Sequence, residues 1–264
     1  MSTSYLRPLS FGEVLDGAFS VYRRHFPSMF LAAFIPYVPV AILMAFTMMS
    51  SGVVVGGKEV VGLGMMGGGF FLLIVAVYVA PVVAWGAVTY MFSQAYVGRP
   101  APLGDAFRVA FSRFFPLLGA AFLMFLAAGF GFLFFVIPGF ILLAMFFLIS
   151  PAVVLERQGP GEALSRSRDL TRGALGYTCG LMFVSYLIAF LPTLVIGAGN
   201  FVLSSTLDPA AAARAGVLAN VVSTAVSALT LPFSVGVTVM FYYDRRVRNE
   251  ALDVQMAAEG LAFG

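Results

Sequence analysis

The residues best suited to chemistry or ligand binding form two clusters that each adjoin a long apolar stretch. The first cluster contains Glu162, Arg166, Arg168, Asp169 and Arg172, and the second runs from Tyr242 to Arg248. Arginine binds phosphate through paired N–H donors, whereas tyrosine and arginine also anchor helix ends at a membrane surface. The clusters therefore have two interpretations: a site for a lipid phosphate or a partner, or interfacial anchoring with mutual charge pairing. The candidate contact residues for the first interpretation are Arg166, Arg168, Arg172, Tyr243, Asp244, Arg245 and Arg246.

Residue types that carry out catalysis are scarce. His25 is the only histidine and Cys179 the only cysteine, so a zinc cluster of histidines and cysteines is excluded, as is an internal disulfide. No convincing serine–histidine pair, phosphate-binding loop, dinucleotide fingerprint or metalloprotease motif is present. We therefore expect no enzymatic activity, no metal site and no cofactor. The absence of a dense basic tract also argues against nucleic-acid binding.

Composition places the chain among membrane proteins. It has 264 residues, of which 61% are hydrophobic and 10% charged, and its mean hydropathy is +0.98. Soluble domains carry about 25% charged residues. The first 26 residues are polar and interrupted by charges, which does not fit a signal peptide. The composition predicts an all-α, polytopic membrane protein with about six transmembrane helices.

The longest uncharged stretch predicts a transmembrane hairpin. Residues 114–155 contain no Asp, Glu, Lys, Arg or His over 42 positions. A single helix of that length would measure about 63 Å, twice the hydrocarbon thickness of about 30 Å. Two crossings fit, and Pro138–Gly139, near the middle, is the predicted turn.

Three charged segments precede the paired spans. Residues 1–26, 97–113 and 156–173 each predict an amphipathic helix, with the weakest apolar stripe in the third. We interpret all three as interfacial helices, and the alternative for the first is a soluble helix packed on a partner. The remainder of this single integral membrane domain comprises spans one and two in 27–96, spans three and four in 114–155, spans five and six in 174–243, and a tail over 244–264.

An internal repeat accompanies this arrangement. Gly12–Glu13, Gly104–Asp105 and Gly161–Glu162 each lie at the start of a charged helix that leads into a pair of spans. The pattern predicts three units, each made of an interfacial helix and two spans. Similarity between the units is weak residue by residue, so the recurrence of architecture is the firmer expectation.

The distribution of arginine and lysine predicts the orientation. Thirteen arginines lie in the amino-terminal segment, the segments after spans two and four, and the tail, whereas the opposite loops hold only Lys58 and Arg214. Positive residues in short loops favour the cytoplasmic side. We therefore expect a multi-pass protein of the inner or plasma membrane with both termini in the cytoplasm. The three amphipathic helices would then adjoin anionic lipid headgroups.

The spans contain few polar groups. Tyrosine and Cys179 are their only ionisable residues, which disfavours ion-coupled pumps and proton-driven carriers because these keep charged groups within the membrane. Asn200 and Asn220 lie in spans five and six. They either line a path for a solute or form hydrogen bonds between helices.

Three sequence segments resemble the membrane domain of glycerophosphoryl diester phosphodiesterases. They are LRPLSFGEVLDGAFSVYRRHF at the start, VIPGF and SPAVVLE followed by GPGEALSRSRDLTRG in the centre, and FYYDRRVRNEALDVQ at the end. The resemblance extends over nearly the whole chain, although related uncharacterised six-span families look similar. It implies a stand-alone membrane module, because the catalytic barrel of that family and its histidine and carboxylate metal ligands have no counterpart here.

These observations favour a non-catalytic integral membrane protein that serves as an anchoring, scaffolding or lipid-associated module. The alternative is a permease-like component for a lipid or small amphiphile, and an intramembrane enzyme ranks third because catalytic groups are lacking. The expected partners are membrane lipids, anionic ones included. The sequence identifies no protein partner and no oligomeric state.

Overall fold

The computed structural model describes residues 7–43, 54–55, 58–59 and 68–252, and it is built almost entirely of helices. Two strands of two residues each, β1 (Val54–Val55) and β2 (Lys58–Glu59), pair antiparallel. Most of the glycine-rich segment 50–69 between spans one and two, the end of span one and most of the tail lie outside the described residues. The helices are α1 (Phe11–Arg24), α2 (Phe26–Phe34), α3 (Gly68–Tyr96), α4 (Leu103–Ser112), α5 (Phe114–Phe134), α6 (Val136–Met145), α7 (Ile149–Leu155), α8 (Pro160–Thr171), α9 (Leu175–Ser204) and α10 (Pro209–Glu250).

Six helical segments of the described chain are long and apolar enough to cross a membrane, which confirms the predicted all-α polytopic fold. They are Phe26–Leu43, Ile74–Tyr96, Phe114–Phe134, Val136–Leu155, Leu175–Ser204 and Ala215–Glu250. The first continues α2 through a 3-10 turn at Ile35–Tyr37, which contains Pro36. Many large apolar side chains on these segments are exposed, as expected for faces that contact lipid; Phe125 and Phe201 are 72% and 75% exposed.

The three predicted amphipathic helices are α1, α4 and α8, and they begin in the same way. In each, glycine is the second helical residue and a carboxylate is the third: Glu13, Asp105 and Glu162. Glu13 accepts a hydrogen bond from the backbone N–H of Ser10 at 2.7 Å, and Glu162 accepts one from Gly159 at 3.0 Å. Such bonds satisfy N–H groups that a helix start leaves unpaired. Asp105 makes no equivalent bond because the capping residue is Pro102, which has no N–H.

The hairpin of spans three and four turns earlier than predicted. The helix breaks at Phe135, which has extended backbone angles (φ −158°, ψ 153°), and Pro138 lies in the first turn of α6. A proline ring clashes with the carbonyl four residues before it, here that of Phe134, unless the chain leaves the helical path between them. The proline therefore breaks the helix, but the turn itself lies three residues before it.

Gly139 lets the two arms of the hairpin pack closely. A Cβ atom added to Gly139 would lie 2.4 Å from the Phe132 ring, and one added to Gly131 would lie 2.9 Å from the Gly139 Cα atom. Both distances are shorter than van der Waals contact. The two arms of the hairpin thus approach each other through a pair of glycines, one in each arm.

Span four is interrupted where α8 packs against it. The helix stops at Met145 and resumes at Ile149. The buried hydroxyl of Ser167 accepts a hydrogen bond from the Leu148 N–H at 3.1 Å and donates one to the Met145 carbonyl at 2.8 Å. A side chain of α8 therefore satisfies backbone groups on both sides of the break.

Helix α1 lies alongside α10 and runs in the opposite direction. The Tyr22 hydroxyl donates a hydrogen bond to the Leu229 carbonyl at 2.7 Å, while Leu9, just before α1, contacts Asp244. The part of α10 between Leu229 and Asp244 is about 22 Å long. The main core lies along this part of the bundle, and its fully buried large side chains include Met29, Met91, Phe92, Leu181, Phe241 and Tyr242. How α1 lies relative to a membrane surface stays a prediction.

Candidate functional site

The three charged helices meet the ends of several spans at one end of the bundle, which we term the polar end. Leu9 before α1 contacts Asp244 of α10, and Arg113 after α4 donates a hydrogen bond to the Arg157 carbonyl at 3.2 Å. Arg245 of α10 donates one to the Leu170 carbonyl of α8 at 2.8 Å. Segments far apart in sequence thereby form one polar region.

Two arginines and two glutamates form an ionic network at the polar end. Arg166 makes a two-pronged pair with Glu156, with N···O distances of 2.7 and 2.8 Å, and also contacts Glu250. Arg246 pairs with Glu250 at 2.9 Å, and the Tyr242 hydroxyl donates to Glu156 at 2.7 Å. The hydrogen bonds that Arg166 donates to the carboxylates of Glu156 and Glu250 raise the pKa of Arg166. The network carries two positive and two negative charges, so it is balanced internally.

Asp244 connects the amino-terminal segment to α10. Its side chain is buried and accepts the backbone N–H of Leu9 at 2.7 Å, as well as the Arg248 guanidinium at 2.9 Å. Arg248 in turn donates to the Leu9 carbonyl at 2.8 Å. Asp244 and Arg248 together bind both backbone groups of one residue, which is a structural role.

The seven predicted contact residues thus occupy different environments. Arg166 and Arg246 belong to the ionic network, Asp244 holds Leu9, and Arg245 bonds to backbone carbonyls of α8. The Tyr243 hydroxyl shares a hydrogen bond with Ser93 at 2.8 Å. Only Arg168 and Arg172 among the seven are classed as exposed. Charged residues of both clusters therefore form ion pairs. Arg166 pairs with residues of other segments, whereas Arg246 and Arg248 pair with carboxylates of their own helix. Whether any of the seven contacts a lipid or a partner stays a prediction.

A cleft of about 670 Å³ opens beside the network, and we term it the arginine cleft. Its lining residues come from α3, α4, the end of α7 and α10. Three of them are arginines and none is a carboxylate. The lining residues are Tyr90, Ser93, Gln94, Val109, Ser112, Arg113, Val154, Leu155, Arg157, Tyr242, Tyr243 and Arg246. Clefts of roughly 300 to 1,000 Å³ accommodate small molecules. The arrangement can bind an anion through guanidinium and hydroxyl donors.

Comparison with known proteins places the chain in a family. Residues 103–245 match the model of a family described as Domain of unknown function (DUF7847), which is just over half of the chain. The chain belongs to this family. No match was found among curated proteins or among solved structures.

The DUF7847 region begins at the first residue of α4 and ends within α10. It therefore contains most of the predicted second repeat unit and all of the predicted third, together with Arg113, Arg157 and Arg166. Helices α1 to α3 lie outside it, as does Arg246 by one residue. The match to DUF7847 does not indicate an activity or a ligand, because the family is described as a domain of unknown function.

Arg113 and Arg157 are the cleft residues that sequence reasoning missed. Both count toward the orientation signal, but neither was a candidate contact. The signal that could have found them is the uncharged stretch itself: Arg113 directly precedes residues 114–155, and Arg157 follows two positions after them. If that stretch is a hairpin, its two ends must lie together.

The other polar residues of interest in this DUF7847 member are its potential metal ligands and the asparagines of spans five and six. Within the described residues, no group of three or more His, Cys, Asp or Glu side chains is placed to hold a metal. Asn220 donates to the Gly216 carbonyl of its own helix at 3.0 Å, whereas the buried Oδ1 of Asn200 has no hydrogen-bond partner among the described residues. In that part of the chain, neither asparagine forms the hydrogen bond between helices that one interpretation predicted. The expectation that the protein is not an enzyme stays a prediction.

Proposed function

We propose that the protein is a non-catalytic module of the inner or plasma membrane that associates with anionic lipids through a cytoplasmic polar end. The observation that carries this proposal is the convergence of the start of α1 with α4 and α8 at one end of the apolar segments, where Arg108, Arg168 and Arg172 are exposed. Arginines near a membrane surface contribute about 1 kcal/mol each to attraction by anionic headgroups. Anchoring or scaffolding of partners at this surface is compatible with the same arrangement.

The orientation follows from the count of thirteen arginines against two basic residues. Single cysteines introduced into a Cys179→Ser background test it at exposed positions of the described chain. We expect Arg99→Cys and Asp169→Cys to be protected from an impermeant thiol reagent in intact cells and Leu207→Cys to react. External labelling at positions 99 and 169 would overturn the orientation.

The amount of anionic lipid that is retained on purification tests the association with lipids. The double variant Arg168→Gln/Arg172→Gln removes two exposed charges of α8 without altering the ionic network, and Arg214→Gln is the control on the predicted outer side. We expect the double variant, purified in mild detergent, to retain less anionic lipid by mass spectrometry than the wild type. An unchanged lipid content, with orientation intact, would leave the arginines with a purely topological role.

The resemblance to the membrane domain of glycerophosphoryl diester phosphodiesterases supports the same proposal, because that domain is a membrane module separate from the catalytic barrel. A permease-like component for a lipid or small amphiphile is the second candidate. The observation that favours it is the buried Oδ1 of Asn200 in span five, which has no hydrogen-bond partner in the described part of the chain. Movement of a labelled lipid or amphiphile across proteoliposomes, reduced in an Asn200→Leu variant, would support this candidate over the first.

A further inference from the structure

We propose that the arginine cleft is a binding site for the phosphate ester of an anionic lipid headgroup, with Arg113 and Arg157 as the main cationic contacts. This inference rests on the proposed function, since it assumes that the polar end adjoins lipid headgroups. It also goes further, because it names a defined pocket and a ligand chemistry in place of general attraction to a charged surface.

The charge of the cleft supports an anionic ligand. Arg246 is the third arginine of the lining, but its charge is offset by Glu250 and by Glu156 at 3.7 Å. Arg113 and Arg157 have no carboxylate within ion-pair distance in the described part of the chain, and no carboxylate lines the cleft. Two guanidinium groups are thus left for an anion, and guanidinium groups form paired hydrogen bonds with phosphate.

Neutral donors in the lining complement the arginines. Ser93 and Tyr243 share one hydrogen bond at 2.8 Å. Each hydroxyl carries one hydrogen, so whichever group accepts this bond keeps its own hydrogen for another acceptor. Gln94 adds amide donors, whereas the hydroxyl of Ser112, at the exposed edge of the lining, donates to the Val109 carbonyl at 2.9 Å. A phosphate ester offers several oxygen acceptors to such a set of donors.

The position of the cleft favours a lipid as the source of the phosphate. Arg113 directly precedes α5, which is one of the membrane-crossing segments. Phe111 and Phe115, two residues to either side of Arg113, are 62% and 79% exposed. An apolar surface next to a cationic cleft suits a molecule with an acyl chain and a charged headgroup.

The backbone at Arg157 is held in an unusual conformation. Its φ of +59° is in the left-handed region, which residues other than glycine rarely adopt. The Arg113 side chain bonds to the Arg157 carbonyl at 3.2 Å, and the Gln158 N–H bonds to the Ala152 carbonyl at 3.4 Å. Such conformations persist where neighbouring contacts fix them, and they occur often at binding sites.

The test compares three proteins in neutral detergent. They are the wild type, the cleft variant Arg113→Gln/Arg157→Gln, and the rim variant Arg168→Gln/Arg172→Gln, which also loses two arginines. Native mass spectrometry measures the dissociation constant for phosphatidylglycerol, with phosphatidylcholine as the neutral reference and glycerol phosphate as the soluble probe. We expect phosphatidylglycerol binding to weaken tenfold or more in the cleft variant and less than threefold in the rim variant.

Three other outcomes would each contradict a specific claim of the proposal. If only the rim variant loses lipid, the cleft assignment is wrong and the proposed function stands. If neither variant loses lipid, both are wrong. If the wild type binds glycerol phosphate as tightly as phosphatidylglycerol and the cleft variant loses both, the phosphate site stands and its lipid source is wrong.

A second variant tests the cleft independently, in case the cleft variant does not fold. Ser112→Trp fills the exposed edge of the cleft and leaves both arginines in place. We expect it to weaken phosphatidylglycerol binding as the cleft variant does, with a melting temperature close to that of the wild type. Unchanged binding by a folded Ser112→Trp variant would overturn the cleft as the site.

Discussion

The carboxylate of Asp244 accepts a hydrogen bond from the backbone N–H of Leu9 at 2.7 Å, which joins the start of the chain to the end of the last span. The Arg248 side chain completes the connection by bonding to both Asp244 and the Leu9 carbonyl. Because Asp244 is 3% exposed, this contact is shielded from water. The amino-terminal segment is therefore fastened at the polar end before α1 begins.

Removal of the Asp244 carboxylate should loosen this connection. Asp244→Ala leaves the Leu9 N–H and the Arg248 guanidinium without their acceptor, and loss of a buried partner costs about 1–3 kcal/mol, more where a charge is involved. We expect a lower melting temperature in detergent and faster proteolysis at Arg7. Asp169→Ala, at an exposed carboxylate of α8, is the control and should change neither. Equal stability of the two variants would contradict the proposed fastening.

Ser167 should be required for the interrupted span. Ser167→Ala leaves the buried N–H of Leu148 without its acceptor and the Met145 carbonyl without one of its donors. We expect a loss of about 1–3 kcal/mol in unfolding free energy. Ser165→Ala changes an exposed serine of the same helix and should cost well under 1 kcal/mol. Thermal unfolding in detergent compares the two, and a Ser165→Ala variant as unstable as Ser167→Ala would argue against the bridging role.

The glycine pair of the hairpin should tolerate no added side chain. Gly131→Ala would put a Cβ atom 2.9 Å from the Gly139 Cα atom, whereas Gly129→Ala, one half-turn away, meets nothing within 4 Å. Overpacking typically costs about 1–3 kcal/mol. We expect Gly131→Ala to lower the melting temperature and Gly129→Ala to leave it unchanged or raise it, since alanine favours helix. If both variants behave alike, the arms do not depend on this close approach.

The sequence predicted the spans well because their signal is local. The uncharged run of residues 114–155 is too long for one crossing, and Pro138–Gly139 near its middle indicates where the chain turns. The site of the turn was wrong by three residues because a proline acts on the carbonyl four positions earlier. The break within span four could not be predicted, since it depends on Ser167 of another helix.

The ion pairs between distant segments at the polar end could not be predicted from the sequence either. One interpretation of the sequence was mutual charge pairing in the cluster that contains Glu162, Arg166 and Asp169. The structure pairs Arg166 with Glu156 and Glu250 instead, and Glu162 bonds to the start of its own helix. A carboxylate at the third helical position is satisfied locally by capping, which leaves arginines free to pair across segments. Which arginines remain unpaired therefore depends on tertiary contacts.

The contact between Arg7 and Glu13 predicts a defined dependence on acid. Hydrogen bonds from Arg7 and from the Ser10 backbone lower the pKa of Glu13 from 4.5 to about 2. A folded-state pKa below the unfolded value stabilises the fold above about pH 4.5, and this contribution is lost as the pH falls toward 2. The melting temperature of Glu13→Gln should therefore lie below that of the wild type at pH 7, and the difference should shrink between pH 4.5 and pH 3. Arg7→Gln removes the largest cause of the lowered Glu13 pKa. In that variant, the stability that the Glu13 charge contributes should be lost at a higher pH than in the wild type. A difference between wild type and Glu13→Gln that stays constant or grows on acidification would show that the Glu13 charge does not stabilise the start of α1.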